Sequence, residues 1–308
     1  MKFNEKLVLN SYIFSLLGVD DLEELSNSFK DDVRNEKVDE EGVSLFYYCL
    51  SSRLFDDAKI DKIKLLEYDS HILRHTKKLT QPIKWKYFQY ITLLFTEIYL
   101  DMYCSSKDTL LKNLNEYLEE FNKRLSKKEK IAPFELENLN KLAFWNATGS
   151  GKTLLMHINI MQFKHYNKSK INKTILITPN AGLTEQHLKE FEANGLEAEK
   201  FSEESKSLFE KDMIEVLEIS KLKDEKGETT FAVDSFGDDN LVFIDEGHRG
   251  AKGEEWKTNR DALSVNGFAF VYQLVIPGMA LFFINQFQMS HIPNTFSGII
   301  MLIVIIVK

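Results

Sequence analysis

"FWNATGSGKTLLMH", residues 144–157, decides how the rest of this chain is read. Gly149 and Gly151 enclose Ser150, and Lys152 and Thr153 follow at once. Glycine lets the backbone turn tightly and aim N–H groups inward at an anion. A helix beginning after Gly151 adds the partial positive charge of its N-terminus. The residues placed against phosphate oxygens are Thr148, Gly149, Ser150, Gly151, Lys152 and Thr153. Lys152 has the reach for the β- and γ-phosphates of ATP, and the Thr153 hydroxyl suits Mg²⁺. Such a loop must follow a buried strand and open a helix, and "KLAFWNA" and "LLMHINIMQF" supply both flanks. The strict phosphate-loop pattern asks for a further glycine at position 146, where Asn146 stands.

Phosphate chemistry needs carboxylates on a neighbouring strand, and "NLVFIDEGH" (240–248) supplies them about ninety residues on. Four apolar residues push a strand into the core, and Asp245 and Glu246 emerge at its C-terminal end. Ligands of open α/β sheets bind at that edge. Asp245 is expected to hold magnesium, and Glu246 to orient and deprotonate the attacking water. The catalytic set expected on these grounds is Lys152, Asp245 and Glu246, with Thr153 and Asp245 on the metal.

Outward from these two motifs the chain falls into three regions. Residues 1–138 read as helical, because apolar residues recur at three- and four-residue steps and glycine is scarce. Within them "WKYFQYITLLFTEIYLDMY" (85–103) is apolar nearly all round, which predicts a buried helix. "SKDTLLKNLNEYLEEFNKRL" (106–125) is amphipathic, with Ser106 or Asp108 to cap it. Residues 139–266 alternate short apolar strands with helical patterns: "KTILITP", "LTEQHLKEFEANG", "MIEVLEI", "TTFAVDSF" and "LVFIDE". That alternation predicts an α/β domain whose parallel sheet is covered on both faces. Residues 267–308 form an apolar tail. Between Asp261 and Lys308 no Asp, Glu, Lys or Arg occurs.

The whole chain is 308 residues, 44% hydrophobic and 28% charged, which suits one large or two ordinary packed domains. Its net charge of -8 supplies no overall field toward nucleic acid, so any such contact needs a local patch. Lys123, Arg124, Lys127, Lys128, Lys130, Lys164, Lys168, Lys170 and Lys173 form the best local stretch, which also reads as a solvated helix face and linker. Only Cys49 and Cys104 occur, outside any C-x-x-C pair, which fits a reducing cytoplasm and argues against a zinc or disulfide scaffold. "LVLNSYIFSLLGV" near the start reads as a packed helix rather than a signal peptide.

"ATGSGKT" and "DEGH" together resemble motifs I and II of the superfamily-2 helicases of DEAD/DEAH type. "KLAFWNATGSGKTLLMH", "TILITPNAGLTEQH", "VLEISKL" and "LVFIDEGHRGAKGEEWKTNRDAL" resemble, in this order, the Res subunit of type III restriction enzymes. The resemblance implies the first RecA-like lobe of an ATP-driven helicase or DNA translocase. It implies phosphate-backbone contacts from Thr178 and around Asn180, and a coupling role for His248 between nucleotide state and nucleic-acid grip. DNA is the implied partner and RNA is not excluded. A second helicase lobe, with an arginine finger, and restriction or modification subunits would come from other chains. Relatives carry Met where Asn146 stands, and often Glu where Ala181 stands.

The departure lies at the end. Relatives continue from "GF-F" into a strand reading E-Y-S-A-T, whereas this chain reads "NGFAFVYQLVIPGMALFF" (266–283), and its charges vanish at nearly the same point. A single change of reading frame accounts for both effects. Whatever the origin of the change, the chain ends about where the first lobe of its relatives would end, so it is expected to bind nucleotide weakly to moderately, hydrolyse it slowly and not translocate alone. The tail has three readings: an apolar hairpin on the sheet, a membrane anchor, or out-of-frame sequence. "GFAFVYQLVIPGMALFFINQF" (267–287) has the length to cross a bilayer, and "IIMLIVIIV" (299–307) is too short alone. The expected location is cytoplasmic, or membrane-associated through residues 267–307.

Overall fold

A computed structural model describes residues 7–26, 29, 37–52, 58–127, 130–146, 149–202, 213–223, 227, 230–246, 254–274 and 301–305. The chain divides into two compact units, Met1–Pro133 with Gly149–Lys168, and Phe134–Thr148 with Ser169–Lys308.

The first unit is helical: α1 (Val8–Leu17), α2 (Leu22–Ser26), α3 (Leu45–Ser51), α4 (Lys62–Thr76), α5 (Tyr87–Ser105), α6 (Lys107–Lys123) and α7 (Lys152–Tyr166). Side-chain caps set the starts. The Ser44 hydroxyl accepts from Tyr47 N–H, Asp61 from Lys64 N–H and Ser106 from Thr109 N–H, each satisfying an amide the helix leaves open. Ser106, not Asp108, is therefore the cap of α6. Gly18, at φ 70°, closes α1 in the left-handed conformation. In α6 only Leu110, Leu114, Leu118 and Phe121 are buried, a single stripe at helical spacing. α5 is buried without a break from Gln89 to Leu100, as its all-round apolarity predicts. Each large apolar side chain so removed from water stabilises the unit by roughly 1.5–3 kcal/mol.

α5 and α7 also share polar groups. Glu97 is fully buried. Its Oε1 accepts from Gln162 Nε2 at 2.8 Å and its Oε2 from the Tyr166 hydroxyl at 2.6 Å. Gln162 Nε2 donates as well to the Leu93 carbonyl at 3.0 Å, and Asn159 Nδ2 donates to Gln162 Oε1 at 2.7 Å. A buried carboxylate is tolerated because its oxygens are satisfied.

The second unit holds β1 (Lys141–Asn146), β2 (Thr174–Thr178), α8 (Ala181–Ala193), β3 (Ala198–Lys200), β4 (Ile214–Glu218), β5 (Leu222–Lys223), β6 (Phe231–Ala232), β7 (Leu241–Ile244), α9 (Glu254–Ala262), β8 (Phe268–Leu274) and β9 (Met301–Ile305). Seven strands form one sheet in the order β3-β4-β2-β7-β8-β1-β9, with every pairing parallel. β5 and β6 pair separately. The fold is the mixed α/β arrangement with a parallel sheet that was expected; β2 and β7 carry the unbroken burial of interior strands, and β4 carries it up to Leu217.

An aromatic ladder fixes the centre of the sheet. Phe144 of β1 faces Tyr272 of β8 in register, rings 4.9 Å apart and 11° from parallel. Phe243 of β7 faces Phe270 of β8 in register, 4.9 Å apart and 9° from parallel. All four are fully buried on one sheet face, so a slip of one residue would turn every ring to the other face. Lys141, opening β1, pairs with Asp261 of α9 at 3.1 Å. Burial raises the Asp261 carboxyl, but Arg260 and Lys141 outweigh it and hold the group below the usual carboxylate range.

Two expectations change here. "TTFAVDSF" extends only over Phe231–Ala232 before a tight helical turn, Val233–Phe236. There Ser235 Oγ donates to the Ala232 carbonyl at 2.6 Å, and Gly237 at φ 70° ends the turn, so the chain leaves the strand. The opening of the apolar tail, residues 268–274, is an interior β-strand and not the first turns of a spanning helix. Its aromatics bury better between β7 and β1 than anywhere local. Among the described residues no helix is long and apolar enough to cross a membrane. Residues 275–300 lie outside the described residues.

Candidate functional site

β1 runs parallel to β7, so both deliver their C-terminal ends to one edge of the sheet. They are not hydrogen-bonded neighbours, because β8 runs between them. Ile244 pairs with Val271, and Asn146 pairs with Leu274 three residues further along β8. Two inter-strand spacings, roughly 10 Å, thus separate the axes of the strands that lead to the two motifs.

After β1 comes the glycine turn, whose described part belongs to the helical unit. Gly149 lies at φ 73° and Gly151 at φ 84°, both left-handed, where a Cβ is strained. Gly151 is the N-cap of α7 and, being glycine, brings no side-chain cap of its own. The first-turn N–H groups of α7 are therefore left to whatever sits before them. Ser150 is buried, and its carbonyl accepts from Gln89 Nε2 of α5 at 2.7 Å. Lys152 and Thr153 open α7 and are partly exposed. Thr148 lies outside the described residues.

At the other motif, Asp245 continues the ladder, its N–H donating to the Ile177 carbonyl of β2 at 2.9 Å. Its side chain is buried, 5% exposed. His187 Nε2 of α8 meets Asp245 Oδ2 at 2.9 Å, and His187 is itself buried. Tyr272 of β8 is near enough that burial, and then the Asp245 charge, push its hydroxyl well above the ordinary tyrosine range. Glu246 follows at φ 52°, among the described residues the one non-glycine in the left-handed region. That conformation costs roughly 1–2 kcal/mol. It ends the extended backbone that leads out of β7. His248 lies outside the described residues.

The turn after β2 is arranged in depth. Thr178 is fully buried, its hydroxyl 2.6 Å from that of Thr184 on α8. Asn180 is exposed and its Oδ1 accepts from Leu183 N–H at 3.0 Å, capping α8. In the basic stretch, Lys173 is drawn into an ion pair with the fully buried Glu215 at 2.7 Å, while Lys164, Lys168 and Lys170 are exposed.

Residues 107–267, a little over half of the chain, match the family model described as type III restriction enzyme, res subunit. The chain belongs to that family. The match spans the glycine turn, the Asn180 turn and the Asp245–Glu246 pair, and it makes this a helicase-related lobe of restriction-enzyme type. Among solved structures the chain is similar to the UvsW helicase from bacteriophage T4, at 14% identity and TM-score 0.33, over 53% of this chain and 63% of that one. It is also similar to the Hef helicase domain of Pyrococcus furiosus, at 17% identity and TM-score 0.29, over 60% of this chain and 37% of that one. It spans less than two thirds of either. No curated protein matches in sequence.

Gln89 and His187 are the polar residues at these motifs that the sequence motifs do not contain. Gln89 left one signal, an amide within a helix otherwise apolar nearly all round. His187 left another, a polar residue on the stripe Thr184, His187, Phe191, all of it buried.

Proposed function

We propose that this res-subunit family lobe binds ATP with magnesium and couples it to a nucleic-acid strand. In this reading residues 148–153 cradle the phosphates, Lys152 neutralises the β- and γ-phosphates, and Glu246 orients and deprotonates the attacking water. Thr153 and Asp245 would hold the magnesium ion. One hydroxyl and one carboxylate, completed by substrate phosphates and water, is a donor set that suits it. When bound, the ion supplies charge neutralisation at the phosphates. The fit is supported by the cradle itself: two left-handed glycines, the second of them the N-cap of α7 with no side chain of its own to fill the site. That feature, inside a family match reaching from the turn to Asp245–Glu246, carries the reading.

The exposed Asn180 turn takes the backbone of DNA in this proposal, with RNA as the other candidate strand. Thr178, expected to touch that backbone as well, is fully buried with its hydroxyl 2.6 Å from that of Thr184, so in this proposal it shapes the turn instead. His248 couples the two sites. The domain limits proposed are 1–138, 139–266 and 267–308. A working motor pairs this lobe with a second one, whose arginine at the γ-phosphate is worth about 10³–10⁵ in rate in related phosphoryl transfer.

Titration with a fluorescent ATP analogue and magnesium tests the reading. Lys152→Ala should lose at least tenfold in affinity, while Glu246→Gln should bind like the unaltered chain and lose its residual hydrolysis. Equal binding by the Lys152→Ala variant and the unaltered chain would refute the assignment.

A further inference from the structure

α8 begins at the Asn180 turn and carries His187 on its second turn. One face of this helix is locked into the second unit: Thr184, His187 and Phe191 are all buried, and the Thr184 hydroxyl is tied to that of Thr178. His187 Nε2 meets Asp245 Oδ2 at 2.9 Å, in line with a charge-assisted hydrogen bond. A carboxylate only accepts, so Nε2 carries the proton. The other ring nitrogen, Nδ1, is buried with no hydrogen-bond partner among the described residues. Burying an imidazole with one nitrogen unsatisfied costs stability that an apolar residue would not. Its single described hydrogen bond goes to the carboxylate of the acidic pair.

The bond to Ile177 holds the main chain of Asp245, and the orientation of the carboxylate is left to its side-chain contacts, His187 among them. A carboxylate that takes up a hydrated cation binds it well only when its oxygens are held in one orientation. We propose that His187 is a positioning residue. By donating to Asp245 Oδ2 it fixes the carboxylate for magnesium, and so sets the magnesium dependence of nucleotide binding. This rests on the nucleotide reading above. Because His187 and the Asn180 cap share one helix, a shift of α8 at the Asn180 turn alters the same hydrogen bond.

The test compares the unaltered chain, His187→Phe and His187→Gln, titrating a fluorescent ATP analogue at increasing magnesium. Phenylalanine fills the space without a donor, and glutamine restores one at the reach of Nε2. Circular dichroism identifies variants that retain the fold. His187→Phe should raise the magnesium concentration for half-maximal binding roughly tenfold and leave magnesium-free affinity unchanged. His187→Gln should return most of that shift. In an Asp245→Ala background His187→Phe should add nothing, since the partner is gone. Should His187→Phe misfold, the donor-free His187→Leu is read in its place: a raised magnesium requirement supports the proposal and an unaltered one overturns it. An unaltered magnesium curve in folded His187→Phe overturns the proposal alone. A failure of the unaltered chain to bind the analogue at any magnesium concentration overturns the nucleotide reading and this proposal with it.

Discussion

Gln89 Nε2 donates to the Ser150 carbonyl at 2.7 Å, while Gln89 Oε1 accepts from Lys86 N–H at 2.9 Å. One amide thereby caps the start of α5 and holds the glycine turn. Sixty-one residues separate the two ends of the first bond. Gln89→Ala removes the donor and leaves a buried carbonyl unsatisfied, a loss of about 1–3 kcal/mol. Affinity for a fluorescent ATP analogue should fall about fivefold or more, with Gln89→Glu as severe because the carboxylate cannot donate. Unchanged affinity in a folded Gln89→Ala chain would remove Gln89 from the loop's support.

Gly151→Ala fails for two separable reasons. The left-handed φ of 84° costs an L-residue roughly 1–2 kcal/mol, and an added Cβ collides with Gln89 Nε2. Binding should drop at least tenfold, as read by the same titration. Adding Gln89→Ala relieves the collision but not the strain, so the double variant should stay well below the unaltered chain. Full recovery would mean that the left-handed turn is dispensable.

Phe270 sits at the centre of the aromatic ladder, fully buried between β7 and β1. Phe270→Ala leaves a cavity in the middle of the sheet, with an expected loss of about 3–5 kcal/mol. Denaturant unfolding measures it. A loss under about 1 kcal/mol would mean that β8 contributes little to the sheet.

His75 is 2% exposed and neither ring nitrogen has a hydrogen-bond partner among the described residues. Burial, then the Lys78 and Arg74 charges, lower its pKa to about 3. Its folded value thus lies below its unfolded value of about 6.5, so its contribution is complete above pH 6.5 and lost as pH falls toward 3. The slope is at most about 1.4 kcal/mol per pH unit. His165, lowered to about 4 by burial and by His71, adds in the same direction. His75→Phe should flatten the acid side of a stability–pH profile without abolishing it. An unchanged profile would show that His75 takes up no proton preferentially on unfolding.

The sequence by itself determined what depends on near neighbours. Buried strands show as unbroken apolar runs, α6 as a stripe of period 3.6, and the phosphate loop as two glycines before Lys152, because dihedral preference and side-chain direction are local properties. Tertiary structure decided the rest. That β8 runs between β1 and β7 follows from Phe243, Phe270, Tyr272 and Phe144 stacking across three strands far apart in the chain. The apolar run 267–287 does not reveal it, since a buried strand and a membrane-length helix start from the same composition. What Gln89 and His187 hold was not legible for the same reason. Their partners, Ser150 and Asp245, stand 61 and 58 residues away, and a hydrogen bond across that distance leaves no period in the sequence. Ser106 rather than Asp108 caps α6 because only one residue can hold the extended backbone of a cap, a choice made by the turn that joins α5 to α6.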